Sequence, residues 1–322
     1  MAPIRFGLIG AGRWGQVYIR TLRQLGGRAR LTHVATSRPR QVRPLAPTAA
    51  LTADWRRVVR GPCEAVIIAT PPRLHAPMLE ACLAAGKPCL VEKPLCLDVP
   101  TAQRLQRRAE ASRVPVLVDH IHLFHPGYEA LKAALRRWRE PIRRIVAEGL
   151  GWGVFRRDTP ALWDWGCHDV SLCLDLVGQN PSAVGALAGP RSPRGEPELV
   201  SLRLDFPGGS CAWIQAGGLS AQERRTVSVF TDTRVYLLDE WARKPLSVSR
   251  ADFPRRYVLR RPDALAPRPL PVGSRQPPLT NAVRYFIDGL RGGDRSRFGL
   301  GLAVEVVRVL ARCEDALRGG GA

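Results

Sequence analysis

An α/β chain of two domains, with a parallel sheet in its first half and a mainly antiparallel sheet in its second, is what three features of the sequence predict. A glycine-rich turn joins a short apolar strand to a helix near the start of the chain. Apolar strands then alternate with helical stretches as far as residue 120, and strand-like runs with short turns between them crowd the second half. At 322 residues the chain exceeds one average domain, and its 45% hydrophobic content suits a packed core. The reading is residues 1–120 as one domain and 121–322 as the other.

Residues 4–9 form the first buried strand. Gly10-Ala11-Gly12-Arg13-Trp14-Gly15 follows at once and leads into a helix over 17–25. This is G-x-G-x-x-G in the strand-turn-helix context that binds a dinucleotide: Gly10 makes the tight turn, Gly12 lets the backbone approach a pyrophosphate, and Gly15 allows close helix packing, with Arg13 and Trp14 at the helix N-terminus. The first domain thus reads as a Rossmann dinucleotide-binding domain. The second strand, 31–35, ends in Thr36-Ser37-Arg38-Pro39-Arg40, where an NAD-selective site would carry an acid for the ribose hydroxyl. Ser37 and Arg38, with Arg40 behind, are suited instead to a 2'-phosphate, so NADP is favoured over NAD.

Further strands at 65–69, 88–91 and 115–118, with a helix over 76–85 between the first two, complete a βαβ pattern. Polar clusters stand at their carboxyl ends: Ala69-Thr70-Pro71 with His75, Glu92-Lys93-Pro94, and Asp119-His120. Ligands of such sheets sit there. In the second half, runs at 144–147, 200–206, 210–215, 226–230 and 234–238 read as successive strands, and helices close the chain at 279–290 and 302–317.

With Glu92-Lys93-Pro94 the chain resembles the glucose-fructose oxidoreductase and inositol dehydrogenase family, Gfo/Idh/MocA. The resemblance rests on four short motifs in order: the glycine turn, Thr70-Pro71 to His75, Glu92-Lys93-Pro94, and Asp164, Gly166 and His168 as D-x-G-x-H. It implies a Rossmann domain followed by an α+β domain on a large open sheet, which often serves as an interface, hence a homodimer or homotetramer. It also implies hydride transfer between a nicotinamide cofactor and a secondary alcohol or ketone of a sugar, inositol or nucleotide-linked sugar. Ala69, Thr70, Pro71, His75, Glu92, Lys93 and Pro94 join the glycine turn as cofactor-binding positions.

Oxidising an alcohol needs a proton acceptor and a partner for the developing alkoxide. His168 titrates near neutrality and suits the first role, while the Lys93 ammonium suits the second. The family shares the proton between Lys and His in different ways, and that choice stays open. Asp164, four residues before His168, falls on the same face of a helix, roughly 6 Å away at Cβ; Asp169 is read as structural. His120 and His122 are placed in the substrate cleft with Lys93, Asp164 and His168. Trp163 either stacks on a sugar ring or packs in the core. His75 either touches the nicotinamide end or lies in solvent. His120, His122 and His125 have no carboxylate to complete a metal set, so no metal is expected.

Net charge is +21, with 49 Lys+Arg against 28 Asp+Glu. The arginines are scattered over both halves, which fits a compositional bias better than a polyanion-binding face, and no nucleic-acid partner is expected. No stretch approaches a membrane span, no leader precedes the first strand, and eight cysteines lack metal spacing, so a cytoplasmic protein with reduced thiols is expected. Alternatives are an imine reductase or an enzyme cycling a bound cofactor, and, in another class, a non-catalytic dinucleotide sensor or polyanion-binding protein. Segments 189–197 and 251–278 match no motif.

Overall fold

The computed structural model describes residues 2–153, 159–193, 195–251 and 266–319. It divides into two compact units, Met1–Ile121 with Leu279–Val307, and His122–Pro278 with Arg308–Ala322.

The first unit is a six-stranded parallel sheet with the order β3-β2-β1-β4-β5-β6. Its strands are β1 (Ile4–Ile9), β2 (Ala29–Ala35), β3 (Ala50–Thr52), β4 (Ala65–Ile68), β5 (Cys89–Glu92) and β6 (Val116–Asp119). β4, β5 and β6 are buried along their whole length, as runs of apolar residues covered on both faces must be. Strand order reverses between β1 and β4, which opens a crevice at the carboxyl ends of the strands. Helices α1 (Arg13–Gln24), α2 (Pro39–Val42), α3 (Trp55–Arg60), α4 (His75–Ala84) and α5 (Val99–Ser112) make the connections. The short β3 and α3 lie between motifs, and periodicity does not reveal them. α5 had a readable start: Asp98 caps it by accepting from the Thr101 amide at 2.8 Å, and Pro100 stands in its first turn.

A single boundary after residue 120 does not describe the chain, because Leu279–Val307 belongs to the unit of the first sheet and Arg308–Ala322 to the other. Helix α8 (Pro278–Leu290) presents Phe286 to Phe6, with ring centroids 6.2 Å apart, and to Phe298, which stacks on it at 5.5 Å. Arg28 pairs with Asp288. The apolar face of α8 is clear from sequence, but which sheet it covers is a tertiary choice.

The second unit holds a mixed eight-stranded sheet with the order β14-β13-β12-β11-β7-β10-β9-β8. These are β7 (Arg144–Trp152), β8 (Ala183–Ala188), β9 (Leu199–Asp205), β10 (Cys211–Gly217), β11 (Leu219–Phe230), β12 (Arg234–Asp239), β13 (Leu246–Arg250) and β14 (Arg268–Pro269). Only β7 and β10 run parallel; the other pairs are antiparallel. Alternation decides the faces: Val200, Leu202, Leu204, Ala212, Ile214 and Ala216 point into the core, whereas Arg203 and Trp213 point outward, the guanidinium 5.5 Å from the ring centroid. Helices α6 (Pro126–Trp138) and α7 (Cys167–Val177) belong to this unit, Tyr128 of α6 donating to Asp175 of α7 at 2.7 Å. In segment 189–197, Arg191 forms an antiparallel bridge with Pro197, and residue 194 lies outside the described residues. Of 251–278, residues 252–265 lie outside the described residues. Among those described, no helix is long and apolar enough to cross a membrane.

Candidate active site

The glycine turn is built by close backbone approach. Gly10 has φ +93°, a left-handed value, and a Cβ there would lie 2.6 Å from the Ala69 carbonyl oxygen. At Gly15 a Cβ would lie 2.1 Å from the Gly10 oxygen, so only glycine lets α1 leave β1 this tightly. Around Gly12 nothing stands within 4 Å of a Cβ. Gly12 is also the N-cap of α1, with no side-chain cap and no acid in the first turn, so the positive end of the helix faces open space. These residues fit the pyrophosphate of a dinucleotide, with Arg13 exposed and Trp14 half-buried beside it. After β2, the Arg38 amide donates to Thr36 Oγ1 at 3.0 Å and fixes the turn, while Ser37, Arg38 and Arg40 lie exposed with no acid among them.

The loops after β4 and β5 are tied together by His75. Its ring is fully buried, with Nε2 2.8 Å from the Thr70 carbonyl oxygen and Nδ1 3.0 Å from that of Pro94. His75 therefore braces the two loops from beneath, and is neither a solvated residue nor a side chain exposed to a cofactor. Burial holds its pKa below the usual histidine range. Ala69, Thr70 and Pro71 are half-buried on the first loop; Glu92, Lys93 and Pro94 are buried on the second. Glu92 and Asp119 are register partners on β5 and β6, and the Tyr18 hydroxyl of α1 donates to Asp119 Oδ2 at 2.5 Å. Burial, with the Asp119 charge adding to it, raises Glu92 to about 8. Burial likewise raises Asp119, to about 6, with Tyr18 and Lys93 pulling it back. His120 is buried next to Asp119.

In the second unit, a π-helical turn (Leu162–Gly166) runs directly into α7 and carries Asp164, with His168 in the first turn of α7. The i→i+5 bonding of that turn replaces the regular i, i+4 alignment expected for this pair, and such bulges recur at functional sites. Trp163 is 2% exposed, its indole donating to Glu314 at 3.1 Å, so of its two readings core packing holds and ring stacking on a ligand does not. Asp169 is wholly buried against Arg225, at 2.8 and 2.9 Å, and burial raises its pKa despite the guanidinium. Gly149 of β7 makes room for this pair: a Cβ there would lie 2.3 Å from Arg225.

His168 is 9% exposed, and the ring of His122 meets it edge-on, centroids 4.6 Å apart and planes at 89°. His122 Nδ1 lies 2.9 and 2.8 Å from the two oxygens of Glu240. Burial alone would push the Glu240 carboxyl up, but His122, Arg225 and His125 outweigh it and hold it below the usual range. An ionised carboxylate only accepts, so His122 Nδ1 carries a hydrogen toward Glu240, and this bond fixes the orientation of the ring beside His168. His125 instead caps α6 by accepting from the Gly127 amide at 3.1 Å. Glu240 and Tyr18 escaped sequence reading. Glu240 follows a strand with no motif around it, and Tyr18 looks like one more apolar residue of α1.

Residues 4–120 match the family model described as an oxidoreductase family with an NAD-binding Rossmann fold. Among relatives, inositol 2-dehydrogenase 2 of Paenarthrobacter aurescens is 30% identical over 61% of this chain and 62% of its own length. UDP-N-acetylglucosamine 3-dehydrogenase of Acidithiobacillus ferrooxidans is 28% identical over 55% of each. The chain thus matches less than two thirds of the length of these relatives. A crystal structure from Magnetospirillum magnetotacticum MS-1, assigned provisionally to the oxidoreductases, is 38% identical over 97% of this chain and 100% of that one, with a TM-score of 0.86.

Proposed function

The chain belongs to the Gfo/Idh/MocA family of oxidoreductases, and from that premise we propose that it is an NAD(P)-dependent dehydrogenase or reductase acting on a secondary alcohol or ketone of a sugar, inositol or nucleotide-linked sugar. The observation that carries this reading is the buried Lys93, at the carboxyl end of β5 in the same unit as the open glycine turn.

Gly10, Gly12, Gly15 and the first turn of α1 would hold the pyrophosphate, and Ala69 to Pro71 with Glu92 to Pro94 would line the nicotinamide end. When bound, the nicotinamide supplies the two-electron acceptor or donor. The proton half of the reaction falls to this chain. His168 takes the hydroxyl proton in oxidation and returns it in reduction, and the Lys93 ammonium stabilises charge on the substrate oxygen. Glu240 acts through His122 to position His168. Ser37 and Arg38, with no acid after β2, support a preference for NADP. Apolar residues exposed on strands of the second sheet, Leu187, Trp213 and Leu237, support a homo-oligomer. Thiol cysteines throughout suit the cytoplasm.

The test is a screen of sugars, inositols and nucleotide-linked sugars by cofactor absorbance, run with NAD and with NADP. Turnover of a polyol or sugar that fails in Lys93→Met is the expected result; normal turnover in that variant sinks the reading.

A further inference from the structure

The turn between β12 and β13 joins the histidine cluster to a cavity. Its first residue, Glu240, holds His122 beside His168, and the same Glu240 lines a cavity of about 700 Å³ within the second unit. That volume lies in the range of small-molecule sites, about 300–1,000 Å³. Pro245, Pro269 and Pro271 contribute to the lining, and their fixed φ angles let those walls keep their shape without a ligand.

The lining is positive. Arg243 and Lys244 of the turn and Arg275 of the segment after β14 stand around the cavity, and Glu240 is the one acid among the lining residues. Both oxygens of Glu240 are engaged by His122. The three cations are exposed, and none makes an ion pair with a carboxylate among the described residues. Elsewhere in this unit exposed arginines such as Arg203 and Arg224 hold an acid, Asp205 at 3.0 Å and Glu148 at 3.2 Å. Cations gathered round a concavity without acids focus a field that attracts anions. Three of them exceed what a single carboxylate needs, and guanidinium and ammonium groups pair well with phosphate oxygens. On the same turn Trp241 is 68% exposed, with its amide donating to Asp239 Oδ1 at 3.0 Å. An exposed indole next to phosphate-binding cations suits stacking on a nucleobase. Inositols and unlinked sugars have no charge to answer these cations.

We propose that this cavity is the subsite for the nucleoside diphosphate of a nucleotide-linked sugar. Arg243, Lys244 and Arg275 take the diphosphate, Trp241 stacks on the base, and the sugar lies at the Glu240 end of the turn, toward His122 and His168. The assignment rests on the proposed dehydrogenase reading and selects one of its substrate classes.

The test is calorimetric titration of the full chain with uridine diphosphate and with inorganic pyrophosphate. It is run with saturating NADP and again with saturating NAD, so that the glycine turn is filled and does not compete. Uridine diphosphate is expected to bind, and more tightly than pyrophosphate. Arg243→Ala, Lys244→Ala and Arg275→Ala should each weaken it by about tenfold, and the triple variant by about 100-fold or more. Trp241→Ala should weaken uridine diphosphate by about tenfold and pyrophosphate hardly at all. No binding of uridine diphosphate up to about 10 mM, equal affinity in wild type and triple variant, or pyrophosphate binding as tight as uridine diphosphate overturns the subsite. Thermal unfolding checks that the triple variant keeps its fold; should it not, the single variants decide. Turnover of an unlinked sugar or inositol without uridine diphosphate binding would remove the subsite and leave the dehydrogenase. Normal turnover in Lys93→Met would remove the dehydrogenase chemistry and leave the titration standing, so the two failures are distinguishable.

Discussion

The first unit forms its glycine turn from backbone, at the end of a strand of a parallel sheet, whereas the second unit assembles its polar centre from side chains carried on α7, on strand β11, on the short 3-10 turn Ile121–Phe124 and on the turn after β12. In the first, Gly10 and Gly15 are dictated by contacts of 2.6 and 2.1 Å to main-chain oxygens, and no neighbouring side chain can substitute. In the second, His168, His122, Glu240, Asp169 and Arg225 come from segments up to about a hundred residues apart and hold one another through charge. A backbone site fails by steric conflict, and a side-chain site fails by an orphaned charge.

The largest effect expected is on chemistry. Lys93→Met and His168→Ala should each lower kcat by about 10²-fold or more while dinucleotide affinity, read by fluorescence titration, survives. Equal loss of binding and turnover would show that the two units do not divide the labour this way. Next comes Arg225→Met, which leaves Asp169 buried without its cation and should destabilise by about 3 kcal/mol in chemical denaturation, with dinucleotide affinity retained. In the first unit, Gly15→Ala should cost about 1–3 kcal/mol through overpacking and abolish tight dinucleotide binding, although alanine is the better helix former. Gly12→Ala meets no atom, so stability should hold while dinucleotide affinity falls. If both variants fold and bind alike, backbone approach does not set this site.

A smaller change is expected from Arg38→Ala, about tenfold in kcat/KM for NADP and little for NAD, since one charge-assisted phosphate contact is worth about 1.4 kcal/mol. A different lever on the first unit is a pH effect on stability. Glu92 is raised from 4.5 to about 8 in the folded protein, so the native state binds the extra proton. The stability this proton confers is fully present below the unfolded pKa and is lost as pH rises through about 8. The melting temperature should therefore fall as pH rises from about 4.5 to about 8, and Glu92→Gln should flatten that slope.

The strands with motifs at their ends were legible because the chemistry is local: Ile4–Ile9, the glycine turn and Glu92-Lys93-Pro94 are each contiguous. β8 is a run of small and apolar residues without alternation, as its place at a sheet edge allows, and β13 and β14 are short. Lys93, Asp164 and His168 stood out in the sequence as candidates, but Glu240 did not, since its partner His122 lies 118 positions away. The same holds for Tyr18, whose hydroxyl meets a carboxylate 101 positions away. His75 and Trp163 were visible as candidates, yet burial decided their roles.

By itself, then, the sequence determined the doubly wound first sheet, the glycine turn and the residue types at its strand ends, because backbone sterics and period-two burial act over a few neighbouring residues. Tertiary structure alone decided that α8 returns to the first sheet, that Glu92 and Asp119 stand in register, and that His122 is locked by Glu240. Each depends on which distant segment supplies the opposite wall of a dry interior, and there one neighbouring charge changes what a side chain can do.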